Sequence, residues 1–220
     1  MSHELRTPLN VVAGYTSLIM DGMLGTVNEK QKEALGKILS RANDELSVVN
    51  NILYATVLET GDLKVDRQVV TLGEFLGQIQ LSYDLPLQRE VALDWQCVDP
   101  LSVIYTDGGK LKHILQNLID NALKFTTQCS VMVPASCSED HAQFKVSDTG
   151  MGIPEDLLSA VFEKFKQVDS SETCLYGGVG IGLYIVRRFA DLIGGKVEVQ
   201  SQVGKGSTFT VTIPCKGQPS

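Results

Sequence analysis

The segment KHILQNLIDNALKFT, residues 112–126, carries two chemistries on one helical period. At that spacing Leu111, Ile114, Leu115, Leu118, Ile119 and Ala122 form a core stripe, while His113, Asn117, Asp120, Asn121 and Lys124 line the opposite face. Taken alone, the segment reads as an ordinary amphipathic surface helix. Its polar face also has a more particular use. An amide oxygen holds Mg²⁺ without adding net charge, and a lysine one turn on neutralises a phosphate, so Asn121 and Lys124 together suit a magnesium triphosphate.

The rest of the chain narrows the choice. Its 220 residues, 43% hydrophobic, suffice for one fair-sized domain and a smaller element. No apolar run approaches the roughly 20 residues that cross a bilayer, and no signal-peptide pattern opens the chain. A formal charge of −7 argues against a general nucleic-acid or anionic-membrane surface, so phosphate binding has to be local. The cysteines, Cys97, Cys129, Cys137, Cys174 and Cys215, follow no metal-ligand spacing and read as reduced thiols.

Two stretches carry heptad rhythm. Leu5, Leu9, Val12, Thr16, Ile19 and Met23 form one seam, and Leu35, Leu39, Ala42, Leu46, Val49, Leu53 and Thr56 the other. Between them Gly25 breaks the pattern and Asn28 stands as a cap ahead of Glu29, which predicts a helical hairpin over residues 1–60. Two helices leave much of their apolar stripes exposed, so a four-helix bundle made by two chains is expected. A monomer whose hairpin packs on its own second domain is the competing arrangement.

Gly61 is the expected stop of the second helix, with a hinge over residues 61–66. Residues 67–215 then alternate strands and helices: strands near 64–71, 91–97, 103–105, 131–136 and 142–146, helices over 72–87, 112–126 and 180–193, and a hairpin over 197–211 around Gly204 and Gly206. Strands paired as hairpins with helices on one face give an α+β sandwich. The tail 216–220 is expected to be disordered. Asp148 stands where a strand runs out into Gly150 and Gly152, a common turn sequence that also lets backbone approach a base. Lys166 to Gly180 has the polar, glycine-ended composition of a mobile lid, and Gly178, Gly180 and Gly182 offer N–H groups at a helix start, where phosphate is favoured.

In order, SHELRTPL (residues 2–9), NLIDNALKF (117–125), DTGMGI (148–153), FEKF (162–165) and GGVGIGL (177–183) resemble the H, N, G1, F and G2 boxes of the sensor histidine kinases. Their ATP-binding fold is shared with gyrase, Hsp90 and MutL. The resemblance spans nearly the whole chain. It implies a dimerising, phosphoacceptor hairpin followed by a catalytic domain that binds ATP and Mg²⁺. It makes His3 the phosphoacceptor, Glu4 its hydrogen-bonding partner, and Thr7 a candidate for placing water in a phosphatase reaction. It makes Asn121 the Mg²⁺ ligand and Asp148 the acceptor of the adenine amine. The remaining nucleotide-site residues it implies are Asn117, Lys124, Phe125, Gly150, Gly152, Ile153, Phe162, Phe165, Lys166, Gly178, Gly180, Gly182 and Leu183.

The chain departs from the pattern at Val179, where the family usually carries threonine or serine, and at His113, where glutamine is frequent. Hydrolytic members carry a glutamate at the position of Asn117, and an amide cannot take a proton from water. The resemblance therefore implies transfer from ATP to His3, then to an aspartate of a response-regulator receiver domain. It further implies a homodimer, a cytoplasmic location for this piece, and a longer receptor that is either soluble or membrane-anchored. A conformational ATPase and a pseudokinase scaffold are the alternatives.

Overall fold

The computed structural model describes residues 2–61, 63–83, 91–97, 101–126, 129–138, 140–166 and 180–215. The chain divides into two units, Met1–Asp62 and Leu63–Ser220.

The first unit is an antiparallel pair of helices, α1 (Ser2–Met20) and α2 (Glu29–Thr60). Pro8 lies inside α1, which continues through it. The Met23 end of the predicted seam is corrected, because α1 stops three residues earlier. Gly22 adopts a left-handed φ of 74°, its N–H donates to Ile19 O at 3.1 Å, and Met23 N–H donates to Leu18 O at 3.1 Å. This double bond is a Schellman cap, and it requires glycine at the left-handed residue. Gly25 belongs to the turn that follows. Asn28 caps α2 reciprocally with Gln31, each side chain accepting from the other's N–H at 2.9 Å. Gly61, at φ 75°, ends the helix.

Arg6 Nε donates to Asn50 Oδ1 at 2.7 Å and ties α1 to α2. Thr16, Ala42, Ala55 and Leu58 are the buried residues of this unit among those described. Two helices can bury only one stripe each, and Leu5, Val12, Ile38 and Ile52 remain 50%, 45%, 47% and 45% exposed. Leu9, Val12, Ile38 and Ala42 line a groove of about 430 Å³ flanked by Lys37, Arg41 and Glu45.

In the second unit β1 (Gln68–Thr71) pairs antiparallel with β3 (Val103–Thr106) as a separate two-stranded sheet. The main sheet has the order β2 (Val91–Cys97), β4 (Cys129–Cys137), β5 (His141–Ser147), β7 (Gly206–Pro214), β6 (Lys196–Gln202). The pairings β4–β5, β5–β7 and β6–β7 are antiparallel, as expected for 131–136 with 142–146 and for the hairpin over 197–211; β2–β4, a pair on which the sequence is silent, is parallel. The strand predicted from residue 64 also shortens to Gln68. Lys64 O accepts from Lys110 Nζ and Asp66 N–H donates to Asp107 Oδ2, so these groups serve a helix start instead of a ladder.

That helix is α4 (Gly108–Phe125), which begins four residues before the predicted segment. Asp107 explains the earlier start: its Oδ1 accepts from Lys110 N–H at 2.9 Å and its Oδ2 meets Lys110 Nζ at 2.6 Å. Burial alone would raise the Asp107 carboxyl, but the Lys110 and Asp66 hydrogen bonds prevail and hold it below its ordinary value. Leu111, Ile114, Leu115, Leu118 and Ile119 are each at 0% exposure, so the predicted stripe is the core. It shares that core with α3 (Leu72–Leu81), α5 (Gly182–Leu192) and the buried sheet residues Ala142, Phe144, Val146, Val211 and Ile213. The predicted ends at residues 87 and 180 shorten to Leu81 and Gly182; residues 84–90 and the tail 216–220 lie outside the described residues.

Candidate functional site

The polar face of α4 is uneven. Asn117, Asn121 and Lys124 are half-buried on it. Asn117 Nδ2 donates to the His113 carbonyl one turn back at 2.9 Å, which turns its Oδ1 toward the start of α5. A Cβ at Gly182 would stand 2.9 Å from that oxygen, so α5 approaches α4 this closely only because residue 182 lacks a side chain. Asp120 accepts from Tyr83 Oη at 2.7 Å. Burial, and then the Asp120 charge, raise the tyrosine pKa. Lys124 Nζ lies 5.2 Å from the centre of the Phe125 ring.

His113, expected on the polar face with the amides, packs against the neighbouring helix. Its ring stands 5.3 Å from that of Phe189 on α5, and Nε2 is buried. Burial pushes its pKa down to about 4 from 6.5, so at neutral pH the ring is uncharged.

At the end of β5 the chain leaves the sheet with Asp148 N–H still bonded to Ser207 O at 2.9 Å. Asp148 Oδ1 accepts from Gly150 N–H at 2.8 Å and from Ser207 N–H at 3.3 Å, an Asx-type turn. Both of these bonds fall on Oδ1, and none of the hydrogen bonds among the described residues uses Oδ2. Burial raises the Asp148 pKa, partly offset by those two hydrogen bonds.

Three glycines hold this loop against its neighbours. A Cβ at Gly150 would lie 2.5 Å from Phe125 O; at Gly152, with φ 71°, it would overlap Gln202 O, and at Gly206, with φ 100°, Asp148 O. Ser201 completes the anchoring. Its Oγ accepts from Ile153 N–H at 2.8 Å, donates to Gly206 O at 2.8 Å, and lies 2.9 Å from Ser207 Oγ. Sequence reasoning missed Ser201 and Ser207. They act from a hairpin some fifty residues downstream, and no local pattern marks them.

The two phenylalanines of FEKF separate. Phe162 is buried, edge-on to Phe209 with ring centres 6.3 Å apart, and Arg187 lies 5.7 Å from its ring centre. Phe165 is 67% exposed with φ 60°, a left-handed backbone uncommon outside glycine. Its N–H donates to Gly180 O at 2.9 Å, joining the two ends of the segment between them. Lys166 is exposed and its carbonyl would lie 2.8 Å from a Cβ at Gly180, while Leu183 is half-buried in the first turn of α5. Gly178, Val179 and most of the proposed lid lie outside the described residues.

Asn121, Lys124, Asp148, Gly150, Gly152, Gly180 and Gly182 are thus carried on α4, the β5 exit and the start of α5, within one unit. Mg²⁺ ordinarily takes one or two protein oxygens and completes its shell with water and substrate phosphates, and the neutral amide of Asn121 fits that demand. In the other unit His3, Glu4 and Thr7 lie in the first two turns of α1, with Glu4 and Thr7 exposed. The His3 side chain lies outside the described atoms.

The described residues include no helix long and apolar enough to cross a membrane. Residues 1–61 match the His Kinase A (phospho-acceptor) domain, and residues 106–217 match the histidine kinase-, DNA gyrase B- and HSP90-like ATPase domain. The circadian input-output histidine kinase CikA of Synechococcus elongatus is 37% identical over 97% of this chain and 29% of its own length. The aerobic respiration control sensor protein ArcB of Escherichia coli is 39% identical over 97% of this chain and 28% of its own length. The chain thus spans under a third of these relatives. Full-length ShkA, solved with AMPPNP, superposes with a TM-score of 0.72 at 30% identity, over 99% of this chain and 45% of that one. Acinetobacter baumannii AdeS shares the fold, with a TM-score of 0.65 at 19% identity over 98% of each chain. With one family model on each of its two units, this chain belongs to the histidine kinases, pairing a phosphoacceptor domain with an ATPase-type domain.

Proposed function

We propose that the chain is the catalytic part of a sensor histidine kinase that binds Mg-ATP, phosphorylates its own His3 and passes the phosphoryl group to an aspartate of a response regulator. The observation that carries the nucleotide assignment is Asp148. Its loop uses Oδ1 internally and leaves Oδ2 as an acceptor, which matches the exocyclic amine of adenine and not the carbonyl that guanine presents there.

Asn121 would hold Mg²⁺, which when bound neutralises charge on the phosphates. Lys124 adds a positive charge on the same face of α4, and the N–H groups at the start of α5 favour anionic oxygens. Asn117 cannot act as a base toward water, since its Nδ2 is tied to His113 O and an amide has no useful basicity. That favours transfer to a nucleophile over hydrolysis. Glu4, next to His3 in the first turn of α1, would accept a ring N–H and leave the other nitrogen as nucleophile. Thr7, one turn on, would place water for removing phosphate from the partner regulator; LuxQ of Vibrio parahaemolyticus, 33% identical, is named a sensor kinase/phosphatase.

The exposed Leu5, Val12, Ile38 and Ile52 and the groove along α1 and α2 support a homodimer through the hairpin. A cytoplasmic location and attachment to a sensing region belong to the same proposal.

The test is incubation with γ-labelled ATP, with analysis for acid-labile phosphate. Label is expected on His3 and lost in His3→Gln. Undiminished ATP turnover in His3→Gln would instead indicate a conformational ATPase, and absence of nucleotide binding a pseudokinase scaffold.

A further inference from the structure

Cys137 is the last residue of β4, and Cys215 follows the last residue of β7. Their sulfurs lie 3.2 Å apart although 78 positions separate them in the chain. Both thiols are reduced and half-buried, which keeps them within reach of a small oxidant. We propose that Cys137 and Cys215 are a site of reversible oxidation, forming an intramolecular disulfide with a peroxide as oxidant.

A disulfide requires the sulfurs at about 2.05 Å, so the pair must close by roughly 1.2 Å. The place allows it. Cys215 lies outside the β7 ladder, and the backbone bond at risk is that from Cys215 N–H to Asp140 O at 2.8 Å. On the other side Cys137 ends its strand, and its thiol also contacts Ser138 O at 3.4 Å, at the turn into β5. Movement of either residue leaves the inner registers of β4–β5 and β5–β7 in place.

The chemistry balances in two steps. One thiolate attacks the peroxide, so that an S–O bond forms, the O–O bond breaks, and the departing hydroxide takes up the thiol proton as water. The second sulfur then attacks the sulfenic sulfur: the S–S bond forms, the S–O bond breaks, and a second water leaves. Two electrons pass from the thiol pair to the peroxide. The closed loop would contain Asp148 and Gly182, so oxidation would tether the end of β4 to the residue after β7 around that part of the site.

The experiment treats the full chain with one equivalent of hydrogen peroxide, counts remaining thiols by alkylation and mass, and maps peptides without reduction. Two of the five thiols should disappear, a peptide linking Cys137 to Cys215 should appear, and dithiothreitol should reverse both. The linked species should melt about 5–10 °C higher, as expected for closing a long loop. The link should survive in the C97S/C129S/C174S variant and vanish in C137S and in C215S. Consumption of thiols without the linked peptide, or no consumption at all, would overturn the proposal. So would persistence of the same thiol loss in the double variant C137S/C215S.

Discussion

His113 makes the acid stability of the ATP-binding unit calculable. Its ring is buried against Phe189 and its pKa is pushed down to about 4 from an ordinary 6.5. A histidine depressed in this way contributes stability that is fully present above pH 6.5 and is lost as pH falls through about 4, because the unfolded chain takes up the proton first. The gap, at about 1.4 kcal/mol per pH unit, amounts to about 3 kcal/mol, a large part of the stability of a domain this size. Burial raises the Asp148 carboxyl, which acts in the opposite direction and adds stability as pH falls below its folded value. Comparing the native chain with His113→Gln cancels that contribution, since Asp148 is present in both. Urea unfolding followed through the single tryptophan, Trp95, which lies in the same unit on β2, reports the transition. Between pH 7.5 and 4.5 the native protein should lose about 2–3 kcal/mol more than His113→Gln, with the steepest divergence below pH 6.5. Parallel pH profiles would refute the argument and show that the folded protein accommodates the charged ring.

Asp148→Asn retains an oxygen for the turn but replaces the proposed adenine acceptor with an amide; ATP affinity measured by calorimetry should fall about 10–100-fold with circular dichroism unchanged. In the native protein, nucleotide affinity should decline as pH falls through the raised Asp148 value, since protonation weakens the acceptor, and a flat calorimetric profile down to pH 4 would count against that role. Gly152→Ala forces a methyl onto Gln202 O at a left-handed φ and should cost more than about 2 kcal/mol in thermal unfolding. Asn28→Ala removes one half of the α2 capping box and should lower hairpin stability by about 1 kcal/mol, seen as a lower melting temperature. Ile38→Asp places a charge in the apolar groove of the hairpin; light scattering should find the native chain as the proposed homodimer and the variant as a monomer.

The core faces of the helices were legible because each carries its own period, whereas the ends of α1 and α3 were not. The α4 stripe from Leu111 to Ala122 is the buried one, Asn28 is the cap of α2, and Gly61 and Gly194 end their helices in left-handed conformations. The order of the five motifs was equally a property of the linear chain, and it was enough to indicate the family. Tertiary structure decided whatever depends on partners distant in sequence. Periodicity put His113 on the polar face, yet its ring packs against Phe189 on another helix, and burial there lowers its pKa. Nothing near residue 91 reveals that β2 pairs parallel with β4, or that Lys64 serves a helix start instead of a strand. Ser201 and Ser207 hold the loop at Asp148 from a hairpin some fifty residues away, and Cys137 meets Cys215 across 78 positions. Local pattern determines which face of an element is apolar; only packing selects the group that each polar atom finally meets.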